Sequence, residues 1–173
     1  MKFYQLLKKY NMKKKYLLLA SFLFIIVCFL TVLYNNNYYL IGIDDANIYF
    51  IYMKNFALGN GFVYNEGGEL VEGFTSLLWT LIGSFFFLIF NNLQIPLLIF
   101  NLILLLYTVF NILNYINNYL QKKSLLILFL ILFFLTPSFF DWTILSLLET
   151  GLWSFFLVNI TLNLLNTIKG KNI

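Results

Sequence analysis

The apolar positions of this chain fall in long uncharged blocks, not in the alternation of a half-buried strand or the one-sided stripe of a surface helix. Tyr16 to Tyr34 is a run of nineteen residues without a charge. That is close to the ~20 residues that carry a helix across ~30 Å of hydrocarbon. Further uncharged runs follow at 76–90, 97–118, 124–140 and 150–168. A cleaved signal peptide has a shorter apolar part of ~7–15 residues and a small-residue cleavage site. Thr31 to Asn37 offers no such site, so a retained first helix at 16–34 is predicted.

Charge sidedness decides whether 76–90 crosses. Residues 1–15 carry Lys2, Lys8, Lys9, Lys13, Lys14 and Lys15. If 76–90 does not cross, the spans are 16–34, 97–118, 124–140 and 150–168, and Lys122, Lys123, Lys169 and Lys171 join those six inside. Ten lysines then lie inside against Lys54 outside; with a fifth crossing the split falls to six against five. The positive-inside rule selects four crossings, with residues 1–15 a basic cytoplasmic N-terminus. Length agrees, since fifteen residues is closer to an interfacial or re-entrant segment than to a span.

Residues 35–96 then form one long outer loop, and 141–149 a short one. A helix is predicted near 46–58, with Asp44 or Asp45 as N-cap and Gly59 or Gly61 ending it. Phe62 to Asn65 and Glu69 to Glu72 flank Glu66-Gly67-Gly68, which predicts a small hairpin or a tight turn. A second interfacial helix is predicted at 76–90, capped by Thr75 or Ser76, with Trp79 at headgroup depth. The expectation is an all-α integral membrane protein with about four transmembrane helices plus two interfacial helices, N-terminus inside, in the cytoplasmic (inner) membrane.

Composition agrees and narrows the chemistry. Of 173 residues 61% are hydrophobic and 10% charged, too little polar surface for a water-soluble globule. The net charge of +4 comes from lysine alone and sits mainly in the N-terminal segment, so nucleic acid is not an expected partner. There is no His and a single Cys, Cys28, which excludes an internal disulfide, a thiolate zinc site and a Ser-His triad. Chemistry must rest on carboxylates, hydroxyls and Lys.

In the four-crossing arrangement all seven acidic residues lie outside. Asp44 and Asp45 come ten residues after the first span, at the depth where a lipid-linked substrate presents its headgroup. One suits a general base, the other a metal ligand, an orienting group or a sugar contact; a plain helix cap is the competing role. Lys54, nine residues past Asp45, suits either a lipid phosphate or a snorkelling anchor. Glu72 precedes Gly73 and two hydroxyls at a helix start, where solvated loop acid is the simpler reading. Asp141 and Glu149 flank the second outer loop, with Glu149 beside a helix start whose dipole favours an acid. Pro137 is placed to stop or kink its helix. The predicted crossings hold Asn but no charges, which ranks a transporter or channel last.

Three pieces in fixed order carry a resemblance. They are Asp44-Asp45-Ala46-Asn47-Ile48-Tyr49-Phe50, then Asn55 to Asn65, then Gly68-Glu69-Leu70-Val71-Glu72-Gly73-Phe74-Thr75-Ser76-Leu77-Leu78-Trp79-Thr80, with an echo in Leu148-Glu149-Thr150-Gly151-Leu152. Together they resemble the first outer loop of arabinofuranosyltransferase-like and protein mannosyltransferase-like membrane glycosyltransferases of the GT-C fold. The resemblance implies a polytopic enzyme that moves a sugar from a polyprenyl-phosphate donor to a hydroxyl on a glycan, lipid or protein acceptor. By motif position Asp44 is the first choice for the base and Asp45 the second, and Glu149 matches the acid of the second outer loop. Glu72 matches an acid that shapes the site or contacts the sugar. A divalent metal is used by some enzymes of this fold and not others. Such enzymes have more crossings, so the resemblance is to an N-terminal part, with donor-binding residues on later loops or a separate chain. The competing expectation is a non-catalytic membrane scaffold or partner subunit.

Overall fold

A computed structural model describes residues 12–37, 44–71, 73–120 and 123–168. Its elements are α1 Lys14–Asn35, α2 Asp44–Ala57, α3 Leu77–Phe90, α4 Gln94–Tyr115, α5 Lys123–Phe134, α6 Pro137–Phe140 and α7 Thr150–Ile168. Two π-helical turns, Ile116–Leu120 and Asp141–Leu145, extend α4 and α6. No strand occurs among the described residues. At 62–71, where a hairpin was one option, the tight turn forms instead. Gly67 takes a positive φ of 74° and the Gly68 N–H donates to Asn65 O at 3.0 Å.

Among the described residues, three helices are long and apolar enough to cross a membrane: Lys14–Asn35, the continuous Gln94–Tyr119, and Thr150–Ile168. The pair Ser124–Phe134 and Pro137–Leu145 makes a fourth only as a broken span, bent by 76°. The stretch predicted as the third span, 124–140, is thus two helices that meet at Pro137. Pro137 lacks an N–H and its ring collides with the preceding turn, so it starts a new helix while the old one ends. The Thr136 hydroxyl donates to the freed Phe133 carbonyl at 2.7 Å. The first five residues of the predicted outer loop 141–149 are helical.

Helix α4 is the axis of the fold, packed against α1, α3 and α7. Its buried positions Leu97, Asn101, Leu104, Leu105, Thr108 and Val109 recur at helical spacing. Helix α1 buries one narrow stripe, Leu17, Ser21, Ile25, Cys28 and Val32. Its remaining faces expose Leu18, Leu19, Phe22, Leu23 and Leu30. Phe24 of α1 stacks on Phe133 at 6.1 Å, which seats α5.

Helices α2 and α3 pack on each other and lie across one end of this bundle. Their close approach needs Gly83, where a Cβ would fall 2.1 Å from Met53 Sδ. Helix α3 begins at Ser76, whose hydroxyl accepts from Trp79 N–H at 3.3 Å. Trp79 is fully buried, with its indole N–H donating to Leu147 O at 3.2 Å.

Candidate functional site where the two loops meet

The end of the bundle near Asn36 gathers the loop residues. Asn36 Nδ2 donates to Asp141 Oδ1 at 2.9 Å, tying the end of α1 to the turn after α6. Leu147, fully buried, adopts φ 57°, a rare left-handed conformation for a branched side chain. That reversal, fixed by the Trp79 bond to its carbonyl, aims the next residues back across α2 and α3. Gly151 lets α7 start close to α4, because a Cβ there would lie 2.7 Å from Asn101 Oδ1.

The consequence is a three-residue cluster built from both loops. The Tyr49 hydroxyl of α2 donates to Glu149 Oε1 at 3.1 Å, and the Thr75 hydroxyl donates to the same oxygen at 3.1 Å. The Tyr49 oxygen in turn accepts the Thr75 N–H at 3.1 Å and the Ser76 N–H at 3.0 Å. The Tyr49 and Thr75 hydroxyls also hydrogen-bond each other at 2.7 Å, with either able to donate. Each hydroxyl has one proton, so two protons are shared among three contacts while the phenol oxygen accepts both amides. Glu149 Oε2 is buried with no hydrogen-bond partner. Burial pushes the Tyr49 phenol above its ordinary value; bonds from Thr75 oppose this and the Glu149 charge adds to it. Tyr49 therefore stays neutral and keeps its donor.

The loop leading into Thr75 is held by aromatic contacts. Phe74 meets Tyr52 at 5.1 Å and Phe62 at 5.3 Å, and Phe62 stacks on Phe56 at 4.3 Å. Gly73 passes so near Tyr52 that a Cβ would lie 2.6 Å from its hydroxyl, which itself donates to Val71 O at 2.7 Å. Buried Asn55 closes the inner side, donating to Val63 O at 2.7 Å and Tyr64 O at 3.0 Å.

Asp44 and Asp45 are not N-caps but occupy the first turn of α2, both exposed. Their faces differ. Asp45 is four residues before Tyr49, one turn away on the same face, whereas Asp44 lies about 140° around the helix from Tyr49. Lys54 is exposed in the last turn of α2, at the opposite end from Asp45, and so is not brought to the Tyr49–Glu149 cluster. Glu72 lies outside the described residues.

No family model matches the chain. Comparison with characterised proteins and with solved structures likewise gave no match.

A divalent metal needs several hard oxygen ligands converging on one point. Among the described residues no three acidic or thiol side chains converge in that way. Tyr49 and Thr75 are the site residues that motif reading passed over as candidates. Their signal was spacing, since Tyr49 falls on the Asp45 face and Thr75 follows the acid and glycine at a helix start.

Proposed function

We propose that this chain is an integral membrane protein, N-terminus inside, whose two outer loops form the acceptor side of a sugar-transfer site using a polyprenyl-phosphate donor. The observation that carries the reading is the junction of the loops at Tyr49, Thr75 and Glu149, with Glu149 Oε2 left free beside them. A loop junction kept only for packing would not bury an unpaired carboxylate oxygen, since such a group destabilises by several kcal/mol. The exposed apolar faces of α1, α4 and α7 support the membrane setting.

Asp45 is the base in this reading and Glu149 orients the sugar or acceptor. The acceptor hydroxyl gives its proton to Asp45 as its oxygen bonds to the anomeric carbon. The bond from that carbon to the phosphate oxygen breaks, and the polyprenyl phosphate leaves with the electron pair. Positive charge developing on the sugar ring is met by the carboxylates nearby. Asp44, farther from Tyr49, sits in the first turn, where the helix dipole favours an acid. Lys54 anchors α2 to bilayer phosphates.

The test is transfer of labelled sugar from a polyprenyl-phosphate donor in membranes carrying the wild-type chain, Asp45→Asn or Asp44→Asn. Loss of a positioned base lowers turnover by about 10²–10⁴-fold, expected for Asp45→Asn and not for Asp44→Asn. Wild-type transfer untouched by Asp45→Asn sinks the assignment. A scaffold in place of an enzyme predicts no transfer above vector membranes in any of the three.

A further inference from the structure

The opposite end of the bundle, where Lys13, Lys14 and Lys15 lie, holds polar chemistry that the loop site does not use. Between α4 and α7 is a cavity of about 420 Å³, within the range of small-ligand sites. Asn111, Asn114, Asn118, Asn159, Asn163 and Asn166 line it, together with Tyr107 and Lys14. Tyr107 and Asn159 sit near mid-helix, so the cavity runs from that end toward the middle of the spans.

Asparagines on facing apolar helices usually serve as glue between them. Here only Asn111 Nδ2 to Asn159 Oδ1, at 2.6 Å, joins the two helices among these six side chains. Asn118 donates to Asn114 within α4 at 3.0 Å. Asn166 is 95% buried by its 5% exposure, yet its Oδ1 has no partner. Glue would close the gap and satisfy that oxygen; the gap is open and the oxygen is not satisfied. Next to it, Asn117 grips Met12 through both backbone atoms, accepting its N–H at 3.1 Å and donating to its carbonyl at 3.3 Å. That grip sets Lys14 at the cavity's edge.

We infer that this cavity binds the headgroup of a lipid in the leaflet at the N-terminal end of α1, a neutral polyol joined through a phosphate. Amides both donate and accept, as hydroxyl groups do, so a wall of six matches a polyol. Among the described residues no carboxylate lines the cavity and Lys14 is the one charged lining residue, which suits a phosphate and repels an ammonium head. The inference rests on the membrane reading above but on no part of the sugar-transfer reading.

The purified full chain is reconstituted in phosphatidylcholine nanodiscs doped with phosphatidylglycerol or phosphatidic acid, and retained lipid is counted by native mass spectrometry. Incorporation into nanodiscs tests the membrane reading separately. Phosphatidylglycerol should be retained over phosphatidic acid by about tenfold, the worth of one to two neutral hydrogen bonds. Asn163→Leu with Asn166→Leu should abolish that preference, and Lys14→Gln should weaken retention of both anionic lipids while keeping it. Shielded Trp79 fluorescence reports that each variant is folded. Equal retention of the two lipids by the wild type, or an unchanged preference in the double variant, overturns the inference. Displacement by free glycerol phosphate at matching concentration also overturns it, assigning the cavity to a soluble ligand.

Discussion

Replacing Tyr49 by Phe removes one oxygen and unmakes the junction between the loops. The lost atom accepts two backbone N–H groups and donates to a carboxylate. The Ser76 N–H is buried, and a buried donor left unpaired costs about 1–3 kcal/mol. The bond to Glu149 is charge-assisted and contributes about 1.5–3 kcal/mol on its own. The Thr75 N–H is partly open to water and is replaced cheaply. Together these give about 3 kcal/mol, taken toward the lower ends because Thr75 is exposed. For a chain of this size that is a fall in Tm of about 6–12 °C, measured by thermal unfolding in detergent. Glu149→Gln alone keeps an acceptor but loses the charge, and should cost about 1–2 kcal/mol. In the Tyr49→Phe background it should cost about half as much, because one of its two donors has already gone. Strict additivity of the two, or a Tm fall under about 2 °C for Tyr49→Phe, would refute the reading of these three residues as one network.

Two further predictions concern packing and pH. Gly83→Ala forces a Cβ into Met53 and should destabilise the α2–α3 pair by about 1–3 kcal/mol, whereas Met53→Ala in the same chain should recover much of that loss. Thermal unfolding of the two single variants and the double gives the coupling, and a double variant as weak as the sum of the singles contradicts it. The raised Tyr49 phenol makes folded protein hold its proton more tightly than unfolded protein does. Its contribution is thus full below the ordinary phenol value of about 10 and is lost as pH rises through the higher folded value. A difference titration of phenolate absorbance, wild type minus Tyr49→Phe, should show one group ionising above the ordinary value; a normal midpoint contradicts the burial argument.

The helical character was legible because lipid-compatible runs near twenty residues are rare by chance, and 16–34 and 150–168 stand against helices Lys14–Asn35 and Thr150–Ile168. The break at Pro137 was legible only as a possibility of stopping or kinking, since a residue type marks where a helix fails and not the 76° it turns through. The burial of Trp79 was not legible, because an aromatic with a polar tip suits both a headgroup belt and a buried bond, and its partner Leu147 lies sixty-eight residues away. The same holds for the site. Glu149 was marked by its motif, but its partners Tyr49 and Thr75 lie 100 and 74 residues distant, which no local pattern encodes.

The ranking of the two aspartates shows how geometry adds to a motif. A motif treats Asp44 and Asp45 as neighbours in a string, and a base is sought at the first. On a helix adjacent residues diverge by about 100°, so only one of a pair shares a face with any given group. The buried positions Ala46, Tyr49, Tyr52, Met53 and Asn55 define the packed face of α2, and Asp45 falls within its arc at the N-terminal end. Asp44 lies at the margin of that arc, farther from Tyr49. Asp45 is exposed beside that face, so it is open to a substrate, as a general base must be. Glu149 meets the same face through Tyr49, and its free oxygen is the second fixed acceptor available there. Two carboxylates thus reach a single helix face from two loops, one through sequence position on α2 and one through the left-handed turn at Leu147. Leu147→Gly keeps the left-handed turn but removes the buried side chain that seats it, so it should leave Asp45 in place while loosening Glu149. Transfer rates should then fall for Leu147→Gly without the complete loss expected of Asp45→Asn, and equal losses would place both acids in one inseparable step.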